Sequence, residues 1–161
     1  MIVMLKLLSE HLQVICTHAE STYPEECCGL LLGKMTEEGK MVVEVLPTEN
    51  AWSAETADEY PESELEMSRR RRYVIAPFAM LQAQRQARDR DLNIIGIYHS
   101  HPDHPAIPSE CDRLSAWQSY SYIIVSVPQG KAGELCSWTL DDAHQFQSEK
   151  FITVEADLKN Q

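Results

Sequence analysis

The chain has 161 residues, of which 43% are hydrophobic and 24% are charged, and its formal net charge is −11. This size and composition predict one globular domain with one core, covering residues 1–161. The acidic excess argues against a nucleic-acid-binding protein, which needs a basic surface to neutralise phosphates. No run approaches the roughly 18 apolar residues of a membrane span, so we also expect no membrane association.

Two further features of the sequence concern the cellular compartment and a basic segment of the surface. The five cysteines are odd in number and do not suggest a small disulfide scaffold, so we expect a reducing, cytoplasmic location. The basic run at residues 69–72 follows an acidic stretch and is interpreted as the end of a loop that faces solvent or a partner.

Hydrophobic periodicity and turn residues predict strands and helices that do not follow strict βαβ alternation. In chain order we predict a strand at 1–7, a helix at about 9–21 capped by Ser9, a strand at 27–34, a turn at 36–40, a strand at 41–47, a loop insertion at 49–68, a short strand at 73–76, a helix at about 78–91, a strand at 93–99, a helix capped by Ser109 that runs to about 120, strands at 122–127 and 134–140, and a last strand at 146–154. This mixture favours a mixed α/β fold over a doubly wound parallel sheet.

The stretch GIYHSHPDHPAIPSECD contains three candidate metal ligands, His99, His101 and Asp112. Two histidines at i and i+2 lie on the same face of an extended segment, so one ion could bind both imidazoles. Asp112 follows eleven residues after His101, beyond a stiff loop with three prolines that could carry the carboxylate back to the ion. Three ligands leave a tetrahedral zinc with one open position, which is typical of a catalytic zinc site.

Metal-assisted hydrolysis also needs a group that accepts and returns a proton, and a glutamate near the ion can do both. Glu26 precedes a buried strand and is the candidate, with Glu25 as the alternative. Since adjacent strand residues point to opposite faces, only one of the two can reach the ion. Ser109 could cap its helix and also donate a hydrogen bond to an oxyanion.

Other nearby residues have simpler interpretations that remain open at this stage. Cys111 is expected to be a small buried residue, and His104 to face solvent or substrate, although either could supply a fourth ligand. Cys27 and Cys28 are expected to pack in the apolar run, although one of them could face the metal pocket.

The motifs H-S-H-P at 99–102 and S-E-C-D at 109–112, preceded by P-E-E-C-C-G at 24–29, resemble those of the JAMM (MPN+) metalloprotease family. The resemblance implies a curved mixed sheet flanked by helices, similar to cytidine deaminases. It also implies that His99, His101 and Asp112 bind Zn²⁺, that Glu26 is the general base and that Ser109 stabilises the oxyanion.

Members of that family cleave the bond after the C-terminal Gly-Gly of ubiquitin or ubiquitin-like proteins. The chain resembles the compact prokaryotic members, including those that release cysteine from a ubiquitin-like sulfur-carrier protein. The expected partner is therefore the C-terminal tail of a ubiquitin-like or sulfur-carrier protein. The alternative is a non-catalytic, zinc-containing MPN module that binds a partner, and the 49–68 stretch leaves the substrate open.

Overall fold

The computed structural model describes residues 4–53 and 69–155, which form eight strands and three α-helices. In chain order these are β1 (Met4–Leu8), α1 (Ser9–Thr22), β2 (Cys28–Thr36), β3 (Gly39–Thr48), α2 (Pro77–Asp89), β4 (Asn93–Pro102), α3 (Glu110–Ser115), β5 (Ser121–Val127), β6 (Leu135–Leu140), β7 (Phe146–Glu149) and β8 (Phe151–Val154). The predicted mixed α/β fold is confirmed.

The eight strands form one mixed sheet in the order β7-β6-β5-β4-β2-β3-β1-β8. Parallel pairing joins β1 to β3, β1 to β8 and β4 to β5, and the remaining neighbours are antiparallel. The two edge strands, β7 and β8, are consecutive in the chain and are separated only by Lys150. Because one residue spans about 3.5 Å, the two edges must lie close together, and the sheet curls toward an open barrel.

Helices cover both faces of this sheet, as the side chains of β2 show. Leu31 points into a core cluster that includes Ile15 and Ala19 of α1, while its neighbour Leu30 packs with Ala83 of α2 on the opposite face. Since both faces are covered, residues 28–33 of β2 are all buried, which explains why the sequence of β2 is apolar without alternation.

Two predicted local features at the starts of elements are wrong. Ser9 is not the N-cap of the first helix, because β1 runs directly into α1 and Leu8 occupies the cap position. The backbone N–H of Leu8 donates instead to Nδ1 of His11, at 3.0 Å. The predicted strand at 73–76 is absent, because the amide side chain of Asn50, rather than a neighbouring strand, binds the backbone of Arg72 and Val74.

Two further predictions placed element boundaries wrongly. The helix that follows Ser109 ends at Ser115 rather than near residue 120, because Ala116 is extended and the N–H of Trp117 donates to the hydroxyl of Tyr122 at 2.7 Å. The last predicted strand is divided at Lys150 into β7 and β8, which pair with opposite ends of the sheet.

The predicted insertion at 49–68 lies mostly outside the described residues, and its described part, 49–53, has no regular secondary structure. The interpretation of the basic run as a solvated loop end is wrong for Arg72, which is buried. Arg69 forms an ion pair with Glu25, at 3.2 Å. None of the helices in the described ranges is long and apolar enough to cross a membrane.

Candidate metal site

Strand pairing places the candidate base and the candidate ligands at one end of the sheet. Cys28, at the start of β2, lies opposite His99 of β4 in the antiparallel register. The N–H of Cys27 donates to the hydroxyl of Ser100 at 2.8 Å, which fixes the segment just before β2 against the histidine pair. Glu26 is the next residue upstream, so the pairing brings it beside the histidines.

The structure brings His99, His101 and Asp112 together in a compact cluster. One ligand atom from each of the three lies within 4.8 Å of those from the other two. The two Nε2 atoms are 3.1 Å apart, and Oδ2 of Asp112 lies 3.3 Å from Nε2 of His99 and 3.2 Å from Nε2 of His101. The spacing of two residues on an extended strand thus places both imidazoles on the same face, as predicted.

The hydrogen bonds and the burial of the two histidines are suited to the binding of a metal cation. His101 Nδ1 lies 2.8 Å from the carbonyl oxygen of Pro105, which can only accept, so Nδ1 carries a proton and Nε2 is the ring nitrogen that faces the cluster. Burial lowers the pKa of His99, which favours its neutral form, and the nearby carboxylate of Asp112 only partly opposes this. Lone pairs of the imidazole and carboxylate groups therefore converge, and these groups carry too few protons to hydrogen-bond to one another. Such a set of donor atoms is suited to a divalent metal ion.

Asp112 is held in place by the start of α3. The N–H of Ser109 donates to Oδ2 of Asp112 at 2.8 Å, and the N–H of Asp112 donates to Oγ of Ser109 at 3.1 Å, so the two residues form a reciprocal capping box. Burial alone would raise the pKa of Asp112, but the adjacent histidines bring it well below its ordinary value. The predicted cap at Ser109 is therefore present, and its hydroxyl accepts one bond while its own proton remains able to donate elsewhere.

The two neighbouring glutamates have different environments. Glu26 is 4% exposed and contributes to the same cleft as His101 and Ser109, and its Oε1 has no hydrogen-bond partner among residues 4–53 and 69–155. Burial, and then the charge of Asp112, raise the pKa of Glu26 well above its ordinary value. Glu25 points away from the cleft into its ion pair with Arg69. Of these two glutamates, Glu26 is therefore the one that lines the cleft.

The other candidate ligands stay outside the cluster. Within the described part of the chain, the group that could hold a metal ion contains neither Cys111 nor His104, and also neither Cys27 nor Cys28. His104 is exposed in the cleft wall, and Cys111 is half-buried rather than fully buried as expected. Burial raises the pKa of Cys27 to about 12 and that of Cys28 to about 11, so both thiols stay protonated.

Sequence reasoning missed two residues near the cluster. The ring of Tyr73 stacks on His99, with ring centroids 4.5 Å apart and an interplanar angle of 24°. Arg71 is exposed and lines the cleft that contains Glu26, as well as an adjoining groove that contains Asp112. No motif marks either residue, because each comes to the site through the return of the chain after the 49–68 stretch.

Comparison with known proteins identifies relatives of this chain. Residues 8–141 match the profile of a family described as prokaryotic homologs of the JAB domain. A desampylase of Haloferax volcanii is 31% identical over 127 residues, which is 76% of each chain. A probable TtuB-protein conjugate cleaving protease of Thermus thermophilus is 38% identical over 52 residues, and the match covers only 35% of that relative's length.

Two solved structures share the fold over nearly the whole chain. A protein of Desulfitobacterium hafniense has a TM-score of 0.74 and 27% identity, with 96% of each chain covered. A protein of Salinibacter ruber has a TM-score of 0.66 and 33% identity, with 96% of this chain and 93% of that one covered. These likenesses extend across the sheet and the helices that position the cluster.

Proposed function

The chain belongs to the prokaryotic JAB-domain family, and from this membership and the geometry of its site we propose that it is a zinc-dependent peptidase or isopeptidase. It would hydrolyse the bond that follows the C-terminal Gly-Gly of a ubiquitin-like or sulfur-carrier protein. The observation that carries the proposal is the position of a buried glutamate, Glu26, in the cleft that is also lined by His101 of the His99–His101–Asp112 cluster.

The donor set favours zinc among divalent ions. Two imidazoles and one carboxylate leave a tetrahedral zinc one open position, and a zinc bound there would polarise the scissile carbonyl and lower the pKa of water. The hydrogen bond from His101 Nδ1 to the carbonyl of Pro105 supports this role, because such bonds fix the tautomer and orientation of a ligand ring.

Glu26 and Ser109 are the proposed catalytic residues. Glu26 would take a proton from water and deliver it to the leaving amine, since burial, and then the charge of Asp112, raise its pKa well above its ordinary value and so favour proton uptake. Ser109 would donate its hydroxyl proton to the oxyanion, because Oγ accepts the N–H of Asp112 and keeps that proton free.

The proposed substrate rests on the relatives. One is named a desampylase, and another a probable TtuB-protein conjugate cleaving protease, so proteins of this kind act on protein conjugates. An extended Gly-Gly tail also suits a buried metal site, because only glycine lets a backbone pass so closely. The leaving group could be a lysine side chain, a cysteine or a peptide.

The test is single-turnover cleavage of a panel of ubiquitin-like proteins, each with a short C-terminal extension after Gly-Gly, by zinc-loaded protein. Release of the extension that chelator abolishes and added zinc restores is the expected result. If no carrier is cleaved while one zinc per chain stays bound, the proposal fails, and the non-catalytic binding module replaces it.

A further inference from the structure

Tyr73 makes an unusual contact with one ligand of the proposed site. Its ring lies nearly parallel to that of His99, at 24°, with centroids 4.5 Å apart, which is the geometry of a stacked pair. His99 itself is fully buried, so the phenol ring forms part of the wall that encloses it. The contact involves the face of the imidazole and leaves its Nε2 directed at Asp112.

The two histidine ligands differ in what holds their second nitrogen. A metal-binding histidine usually donates its other ring N–H to an acceptor, and this bond sets the rotation of the ring. His101 follows the rule through the carbonyl of Pro105. His99 does not, because its Nδ1 is buried and has no hydrogen-bond partner in the described ranges. Since the χ2 torsion of histidine is intrinsically broad, another contact must set the plane of this ring.

Tyr73 is held firmly enough to set that plane. The side-chain amide of Asn50 donates to the carbonyl of Arg72 at 2.8 Å and accepts from the N–H of Val74 at 3.2 Å, so the backbone is fixed on both sides of Tyr73. The N–H of Ala51 adds a bond to the carbonyl of Val74, at 2.8 Å. The ring also packs against the core cluster between the sheet and α2.

The chemistry of the two rings makes the contact sensitive to a bound metal. An imidazole that binds a divalent cation loses electron density, and the face of a phenol ring is electron-rich, so their attraction grows when the metal binds.

We propose that Tyr73 is a positioning residue that holds the His99 ring in the plane required for metal binding, in place of the missing hydrogen bond at Nδ1. The inference rests on the proposed function only in that the cluster binds zinc, and it does not require peptidase activity. It accounts for the irregular segment 72–76, whose hydrogen bonds to residues 50 and 51 fix one aromatic side chain against a ligand.

The test compares Tyr73→Leu, which removes the aromatic face, with Tyr73→Phe, which keeps it. Phe146→Leu is the matched control, because Phe146 packs in the same cluster but makes an edge-to-face contact with Tyr122 and does not contact a histidine ring among the described residues. The zinc dissociation constant is measured by chelator competition, the visible spectrum is recorded after substitution with Co²⁺, and the melting temperature of each metal-free protein reports on folding alone.

We expect Tyr73→Leu to weaken zinc binding by about 10-fold or more, as other changes around ligand histidines do, and to alter the Co²⁺ spectrum. Tyr73→Phe should bind zinc within about twofold of the wild type, and Phe146→Leu should leave both readouts unchanged. Wild-type zinc affinity in Tyr73→Leu, or an equal loss in Tyr73→Phe, would overturn the inference. A wild-type protein that binds no zinc would overturn the proposed function as well.

A measurement on the unaltered protein covers the case in which Tyr73→Leu does not fold. A ring stacked on a phenol experiences its ring current, so the carbon-bound protons of His99 should resonate upfield of those of His101 in the NMR spectrum of the zinc-loaded protein. Equal shifts for the two histidines would contradict the stacked arrangement.

Discussion

At the scale of single residues, the two histidines differ in what their Nδ1 atoms contact. Nδ1 of His101 bonds to the carbonyl of Pro105, whereas Nδ1 of His99 has no hydrogen-bond partner in the described ranges. We predict that His101→Ala abolishes zinc binding and the thermal stabilisation that zinc provides. That stabilisation is about 4 kcal/mol when free zinc exceeds the dissociation constant roughly a thousandfold. Thermal melts with and without zinc measure it.

The control for this prediction is His104→Ala. His104 is an exposed residue of the loop that follows β4, and it lies outside the group that could hold a metal ion. It should keep zinc-dependent stabilisation at the wild-type level. If His101→Ala still bound one equivalent of zinc, His101 would not be a ligand.

Residue spacing predicted the cluster well, because H-x-H on a strand and S-x-x-D at a helix start are local geometries that need little tertiary information. The sequence named Glu26 as the candidate with Glu25 as the alternative, and the fold adds what separates them: Glu26 is buried in the cleft, and Glu25 pairs with Arg69. Tyr73 could not be predicted, because its contact with His99 joins segments that are distant in sequence.

At the scale of elements, the strands and helices with strong periodicity were predicted with boundaries close to those observed, as for α1 and β3. The failures have tertiary causes. The side chain of Asn50 replaces strand pairing at 73–76, and the Tyr122 hydroxyl binds the backbone just after α3. Neither hydrogen bond has a signal in the local sequence.

The pairing of β2 with β4 positions Glu26 beside His99. Gly29 permits this close pairing of the two strands. Gly29 lies opposite Tyr98, and a Cβ at Gly29 would overlap the ring of Tyr98, which is fully buried and hydrogen-bonded to His18. We predict that Gly29→Ala destabilises the protein by about 1–3 kcal/mol through overpacking, as measured by urea unfolding.

Gly133→Ala is the matched control for this substitution. A Cβ at Gly133 would meet its nearest neighbour, Pro128, at 3.4 Å, which is an ordinary contact. Its stability should change by less than about 1 kcal/mol. Equal stabilities for the two variants would show that the β2–β4 contact tolerates a side chain at residue 29.

At the scale of the whole molecule, a buried polar network joins strands across the curled sheet. Lys40 of β3 donates to the hydroxyl of Ser121 at 2.9 Å, and Ser121 and Ser137 donate to the carboxylate of Glu149 on β7 at 3.1 and 2.7 Å. Burial lowers the pKa of Lys40, and the charge of Glu149 opposes that effect. The network therefore helps to hold edge strand β7 in place in the curled sheet.

We predict that Glu149→Ala destabilises the protein by about 3 kcal/mol, because it leaves the buried ammonium group of Lys40 without a compensating charge. Urea unfolding measures the change. The exposed Glu155→Ala should be nearly neutral by comparison. A Glu149→Ala protein as stable as the wild type would mean that the network contributes nothing to the stability of the curled sheet.

The zinc content and single-turnover rate of Glu26→Gln, beside those of Glu25→Gln, test the central claim most directly. The two residues are adjacent, but Glu26 lines the cleft together with His101 of the cluster, whereas Glu25 pairs with Arg69. We predict that Glu26→Gln keeps one zinc per chain and loses turnover by about 100-fold or more, while Glu25→Gln keeps both. A Glu26→Gln protein that binds zinc and cleaves its carrier at the wild-type rate would contradict the account.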